Sequence, residues 1–362
     1  MKKVLIVTAH RLNRAPNQRF RFEQYLDFLK SKGFECEVSY LLDEKADAVF
    51  YKPGHLLNKL SILVKSVFIR WKDVQRAKQF DLIFICREAF LTGTTFFERK
   101  LSSAGVPVVY DFDDAIWHFD VSEANKKFGW LKNPEKTSKI IGMSNLIFAG
   151  NQYLADYALQ YNKNVTIIPT TIDLNDYQQV PFKNPDVVCI GWSGSITTIR
   201  HFEMAVPFLK IIKAKYGDKI KIKVIGDASY RNDELSITGI AWKKETELAE
   251  LSEIDIGIMP LPDDEWAKGK CGLKGLQYMA LGMATIMSPV GVNSEIIQDG
   301  ENGMLASEVD EWVEKISRLI DDAALREKCA LNGRKTVEEK YSVEAIKADY
   351  FNHFSALTTS KK

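Results

Sequence analysis

Residues 255–306 read DIGIMPLPDDEWAKGKCGLKGLQYMALGMATIMSPVGVNSEIIQDGENGMLA, and this stretch decides the fold class. The apolar run 254–261, punctuated by Pro260 and Pro262, has the length and composition of a strand buried in a parallel sheet. A loop of mixed charge follows. From Gly272 the sequence turns to helix formers, with apolar residues at Leu273, Leu276, Met279 and Ala280, and Gly282 stands where a C-terminal cap belongs. A strand, a glycine-bearing loop and a helix start make a place for an anion. The first-turn N–H groups and the helix dipole favour phosphate there, and Lys268, Lys270 and Lys274 add positive charge. A short apolar strand at 284–287, a turn from Ser288 to Asn293 and a helix opening near Glu295 complete one wall of a nucleotide-diphosphate pocket.

The run GKCGLKGLQYMALGMATIMSPVGVNSEIIQDGENGMLA within this stretch resembles the donor-binding segment of family 4 (group 1) retaining glycosyltransferases, enzymes of the GT-B type. That family usually carries two Glu separated by seven residues; here Gly269 and Gln277 stand in those places. The resemblance implies that Gln277, whose amide can bond ribose hydroxyls, meets the donor ribose. Asp263, Asp264 or Glu265, just upstream, would stand in for the missing carboxylate toward the donor sugar. It also implies the architecture: α/β, two doubly wound Rossmann-like domains facing a cleft, with the C-terminal helix crossing back to the first. The expected division is 1–170 plus 342–362 on the acceptor side and 171–341 for the nucleotide sugar.

Length and composition agree with two soluble domains. The chain has 362 residues, 46% hydrophobic and 27% charged. Net charge is +1, but residues 1–170 hold 25 Lys+Arg against 18 Asp+Glu, so the N-terminal half suits an anionic partner. Five cysteines lie scattered without metal-type spacing, which fits a reduced, cytoplasmic setting. No run of about 18 apolar residues exists to span a membrane.

In the N-terminal half, 4–7 reads as a strand, 20–32 as a helix closed by Gly33, and 36–41 as a second strand, a β-α-β unit of the doubly wound kind. The loop after the first strand lacks GxGxxG, which disfavours a dinucleotide-binding dehydrogenase. Its arginines, Arg11, Arg14, Arg19 and Arg21, meet either a phosphate or solvent. Residues 52–78 carry seven Lys/Arg and one acid among leucines and valines at helical spacing. This is a basic amphipathic helix, suited to an anionic membrane surface or to packing on the sheet with its charges in water. A strand over 82–86 leads into a helix ending near Lys100, and the strand 106–110 ends in Asp111-Phe-Asp-Asp. Three aspartates at a strand's carboxyl end could hold Mg²⁺ or Mn²⁺, orient an acceptor hydroxyl, or cap the next turn. By resemblance, Asp113 and Asp114 occupy the positions of a His-Asp pair that faces the donor sugar, and enzymes of this type generally need no metal.

In the C-terminal half a strand from 187 enters Gly191-Trp-Ser-Gly-Ser and a helix over 199–216. Gly194 and Ser195 could bring backbone N–H groups to a phosphate, with Arg200 in the first turn. Trp242, after a short strand at 239–242, either packs over the nucleotide base or lies in the core. The expected activity is transfer of a sugar from a nucleotide-diphosphate donor to a saccharide or lipid-linked acceptor, with retention, in cell-surface polysaccharide or glycolipid assembly. No cofactor is required, Mg or Mn being non-essential at most, and no nucleic acid is involved. The expected location is cytoplasmic, peripheral on the membrane's inner face. Two alternatives stay open: a sugar-nucleotide epimerase of the same fold and a non-catalytic nucleotide-sugar-binding scaffold.

Overall fold

The computed structural model describes residues 1–52, 54–118 and 133–359. Its contacts divide into two units, one of residues 1–170 and 346–362, the other of residues 171–345. In the first, β1 (Lys2–His10), β2 (Phe34–Leu42), β3 (Leu82–Cys86), β4 (Val108–Phe112), β5 (Leu146–Ala149) and β6 (Val165–Ile167) form one sheet. The order is β2-β1-β3-β4-β5-β6, and every pairing is parallel. β3 and β4 are buried along their whole length, which is why they read as unbroken apolar runs rather than alternating ones.

The second unit repeats the device with β7 (Val188–Ser193), β8 (Ile220–Gly226), a small hairpin of β9 (Arg231–Asn232) and β10 (Ile237–Thr238), β11 (Ile240–Ala241), β12 (Ile256–Met259), β13 (Ala284–Met287) and β14 (Met304–Leu305). Its main sheet, β11-β8-β7-β12-β13-β14, is again parallel throughout. Its core gathers Trp192, Phe202, Phe208 and Ile258 with Trp312, whose ring stacks on Phe208 at 4.7 Å.

The final helix, Val343–Thr359, begins behind a Ser342 hydroxyl that accepts from the Ala345 N–H. From Ile346 onward it belongs to the first unit. There Tyr350 stacks on Tyr25 at 4.2 Å and donates to the Arg21 carbonyl at 2.8 Å, while Phe354 packs against Phe34, Phe84 and Phe148.

Three helices depart from the sequence expectation. The one over 20–32 is broken into Pro16–Arg19, a 3-10 turn Glu23–Tyr25 and Leu26–Ser31. The break lets Arg21 turn inward to Asp111 and the Ile168 carbonyl. The one over 199–216 is split into Ile199–Glu203 and Val206–Tyr216, because Pro207 has no N–H to offer the Glu203 carbonyl. After β3 the chain stays irregular until the helix Phe96–Ser102, since Arg87 takes a left-handed conformation, φ 61°.

Candidate functional site

In the second sheet β7 and β12 are neighbours from which the connections diverge in opposite directions, and such a switch point leaves a crevice at the strands' carboxyl ends. The loop after β12 leads to the helix Leu273–Leu281. That helix starts where expected because Gly272 is left-handed, φ 68°, and a Cβ there would meet Ile296 Cδ1 at 2.4 Å. Tyr278 holds it to the sheet: its hydroxyl accepts from the Ser193 N–H at 2.7 Å, and its ring lies over Gly257, where a Cβ would come within 2.4 Å. The helix therefore presents a fixed N-terminal turn to this crevice.

The charges of three expected phosphate ligands bear on one residue that sequence reasoning missed. His201, on the helix Ile199–Glu203, is buried, and its pKa is pushed down to about 4. Burial is the main cause; the positive charges of Lys274, Lys270 and Arg200 add to it, opposed by Asp264. Lys274 Nζ lies 5.9 Å from the Trp192 ring centroid and Lys270 Nζ 4.7 Å from that of Trp266. The signal for His201 was its adjacency to Arg200, but only the fold brings Lys270 and Lys274 to it.

Other expected ligands are placed differently. The Gly194 N–H donates to the Ile225 carbonyl of β8 at 2.8 Å and the Ser195 N–H to Thr198 Oγ1 at 2.9 Å, so both amides are already taken within the fold. Gly194 serves packing instead: a Cβ would stand 2.1 Å from the Trp192 ring. Asp264 caps the short helix Glu265–Lys268 by accepting from the Ala267 N–H, while Asp263 and Glu265 pair with Lys268. Gln277 is buried; its amide donates to the Tyr177 hydroxyl at 2.6 Å and to Glu247 Oε1 at 3.3 Å. Trp242 is half-buried and donates to the same carboxylate at 2.9 Å. Gln277 and Trp242 are thus joined through Glu247, and a glutamine fits where a second carboxylate would face the first.

The first sheet has its own switch point between β1 and β3. Asp111 departs from the cluster expected of it. Its side chain turns into the core and takes a forked ion pair from Arg21, both groups buried. Asp113 and Asp114 follow the end of β4 and meet Arg87, at 2.7 and 3.6 Å. Alternation along an extended strand would separate Asp113 from Asp114; the chain has already turned, so both face one guanidinium. Beside them at the end of β1, His10 is pushed down to about 4, chiefly by burial, with Asp47 opposing and Arg14 and Arg87 adding. Tyr51 stacks on that imidazole and bonds its Nε2 at 3.1 Å, and Arg11 and Arg14 both donate to Asp47. Arginine thus sits at the carboxylates where the metal reading would put a cation, and among the described residues no group of three or more His, Cys, Asp or Glu could hold a metal ion.

Residues 184–322 match the family described as Glycosyl transferases group 1. The capsular polysaccharide biosynthesis glycosyltransferase CapM of Staphylococcus aureus is 27% identical over 173 residues, 44% of this chain and 44% of that protein. The match thus spans under half the length of that relative. The fold is similar to that of Anabaena HepE, solved with UDP and glucose, at a TM-score of 0.69 and 14% identity over 98% of this chain and 100% of that one. It is similar also to sucrose-phosphate synthase of Thermosynechococcus elongatus, at 0.66 and 12% identity over the full length of both chains.

Proposed function

We propose that this chain, in which residues 184–322 form a glycosyl transferases group 1 domain and the fold is that of GT-B enzymes, moves a sugar from a nucleoside-diphosphate sugar to a saccharide or lipid-linked acceptor. Retention of anomeric configuration and a place in polysaccharide or glycolipid assembly belong to the same reading. What carries it is the positive charge of Arg200, Lys270 and Lys274, all of which bears on the buried His201, with Lys274 in the first turn of the Leu273–Leu281 helix. As the bond from the anomeric carbon to the diphosphate breaks, negative charge grows on the leaving group, and these cations and the helix N-terminus stabilise it. Asp113 or Asp114 orients the acceptor hydroxyl, and Arg87, paired with both, holds them in place. The Gln277–Glu247–Trp242 group supports the ribose and base side. The reaction on this reading needs no divalent metal, so EDTA should leave turnover unchanged. Residues 52–78 rest on an anionic membrane surface, which makes the protein peripheral there.

Anabaena HepE was also solved with UDP-glucose, so UDP-sugars are the first donors to try. Labelled donors with and without saccharide acceptors test the reading. Transfer, or slow hydrolysis, supports it; an isomerised donor would mean an epimerase, and binding without turnover a scaffold.

A further inference from the structure

The helix Leu56–Arg76 is packed with its polar side inward. Lys59, Ser66, Arg70 and Asp73 are buried, Arg70 and Asp73 against β1 and β2. Arg70 donates to the Ala89 and Thr8 carbonyls, to Ser39 Oγ at 2.9 Å and to Asp73 at 2.9 Å, a satisfied network that fixes this face as the inner one. The outer face consequently carries Leu56, Leu57, Leu60, Val64, Phe68 and Trp71, all exposed, with Leu57 at 81% and Phe68 at 70%. At about 100° per residue these fall within a sector of roughly 120°. Phe96, from the neighbouring helix, extends the patch by stacking on Trp71 at 6.3 Å. So large an apolar stripe on a soluble surface marks a contact.

Charge says with what. Among the described residues of 52–78 the exposed charged side chains are all lysines, Lys52, Lys65, Lys72 and Lys78, while the segment's acid, Asp73, is buried. Lys65 also meets Asp43, and Lys100 lies over the Phe96 ring. A second copy of this face would bring like charges together; an anionic bilayer meets both the apolar stripe and its basic rim. We infer that this helix docks on anionic lipid apolar face first, with Leu57, Phe68 and Trp71 entering the acyl boundary and the lysines at headgroup level. No helix among the described residues is long and apolar enough to cross a membrane, so it lies in the interface plane. The inference rests on the membrane reading above and not on the transferase reading.

Flotation with vesicles of phosphatidylcholine alone, and with about one-third phosphatidylglycerol, tests it. The protein should bind the anionic vesicles and not the neutral ones. Leu57→Asp/Phe68→Asp should lower the bound fraction about tenfold or more without changing the melting temperature or UDP binding. Lys65→Glu/Lys72→Glu should do likewise. Brominated lipids should quench tryptophan fluorescence of the unaltered protein, with that quenching largely lost in Trp71→Phe, a readout that survives if the aspartate variant misfolds. Binding that Leu57→Asp/Phe68→Asp leaves intact and only the lysine variant loses would overturn insertion while sparing the membrane reading. No vesicle binding by the unaltered protein overturns both. Self-association in equilibrium sedimentation that Leu57→Asp/Phe68→Asp abolishes would give the face to a second copy and overturn the lipid assignment.

Discussion

The carboxyl edges of the two sheets use the same doubly wound device and reach opposite electrostatic results. In the second unit, Arg200, Lys270 and Lys274 bear on one buried imidazole, with Asp264 opposing them, next to a helix N-terminus. In the first, positive groups meet carboxylates directly: Arg21 meets Asp111, Arg87 meets Asp113 and Asp114, and Arg11 and Arg14 meet Asp47. On the proposed reading, one edge receives negative charge. The other already holds its own and can only hold carboxylates in place. On the proposed reading, that difference matches a diphosphate at the second unit's edge and an acceptor hydroxyl at the first's.

The comparison can be broken most sharply at its most buried pair. Asp111→Ala leaves Arg21 charged in the core without its partner, and should cost about 3–5 kcal/mol in a urea unfolding experiment. A loss near zero would mean that the pair does not organise the first edge. Asp113→Asn should keep fold and UDP affinity while lowering sugar turnover about a hundredfold. Unchanged turnover would return Asp113 to a turn-capping role. At the other edge, Lys274→Ala should weaken UDP binding by about 1.5–3 kcal/mol, the range of a hydrogen bond to a charged group, and leave uridine binding nearly untouched. Calorimetry with both ligands decides, since equal losses would contradict a phosphate contact. The smallest effect is the pH dependence of stability. With a folded pKa near 4 against an ordinary 6.5, His201 is neutral in the fold, so the unfolded chain binds the extra proton. Its contribution is present above about 6.5 and is lost as pH falls toward 4. His201→Phe should therefore flatten the acid limb of a melting-temperature profile, and an identical limb would count against a buried neutral imidazole.

Much of this arrangement was legible in the residue pattern. The helix Leu273–Leu281 lies between Gly272 and Gly282, both left-handed, and the sequence marks both ends. The strands β12 and β13 fall on the apolar runs, since a strand buried on both faces leaves no alternation to misread. Contacts distant in the chain were not legible. Nothing near Asp111 announces Arg21, 90 positions away, and Glu247 reaches Gln277 and Trp242 only through the fold. The helix Leu56–Arg76 shows why: its periodicity separates an apolar from a polar face correctly, but which one turns inward depended on what Thr8, Ser39 and Ala89 offered Arg70. The Gly194–Ser195 turn misled for a related reason, because the sequence shows that amides can approach a ligand but not that the chain itself has taken them.

The passage of the helix Val343–Thr359 into the first unit bears on how the polypeptide is made. Residues 171–345 are contiguous and hold every strand of their sheet, so that unit can close as soon as they have left the ribosome. The first unit is synthesised earlier yet lacks Tyr350 and Phe354, which cover Tyr25, Phe34, Phe84 and Phe148, until the helix emerges. The half that is translated first is therefore completed last, and in the interval its aromatic surface stands open to chaperones and to aggregation.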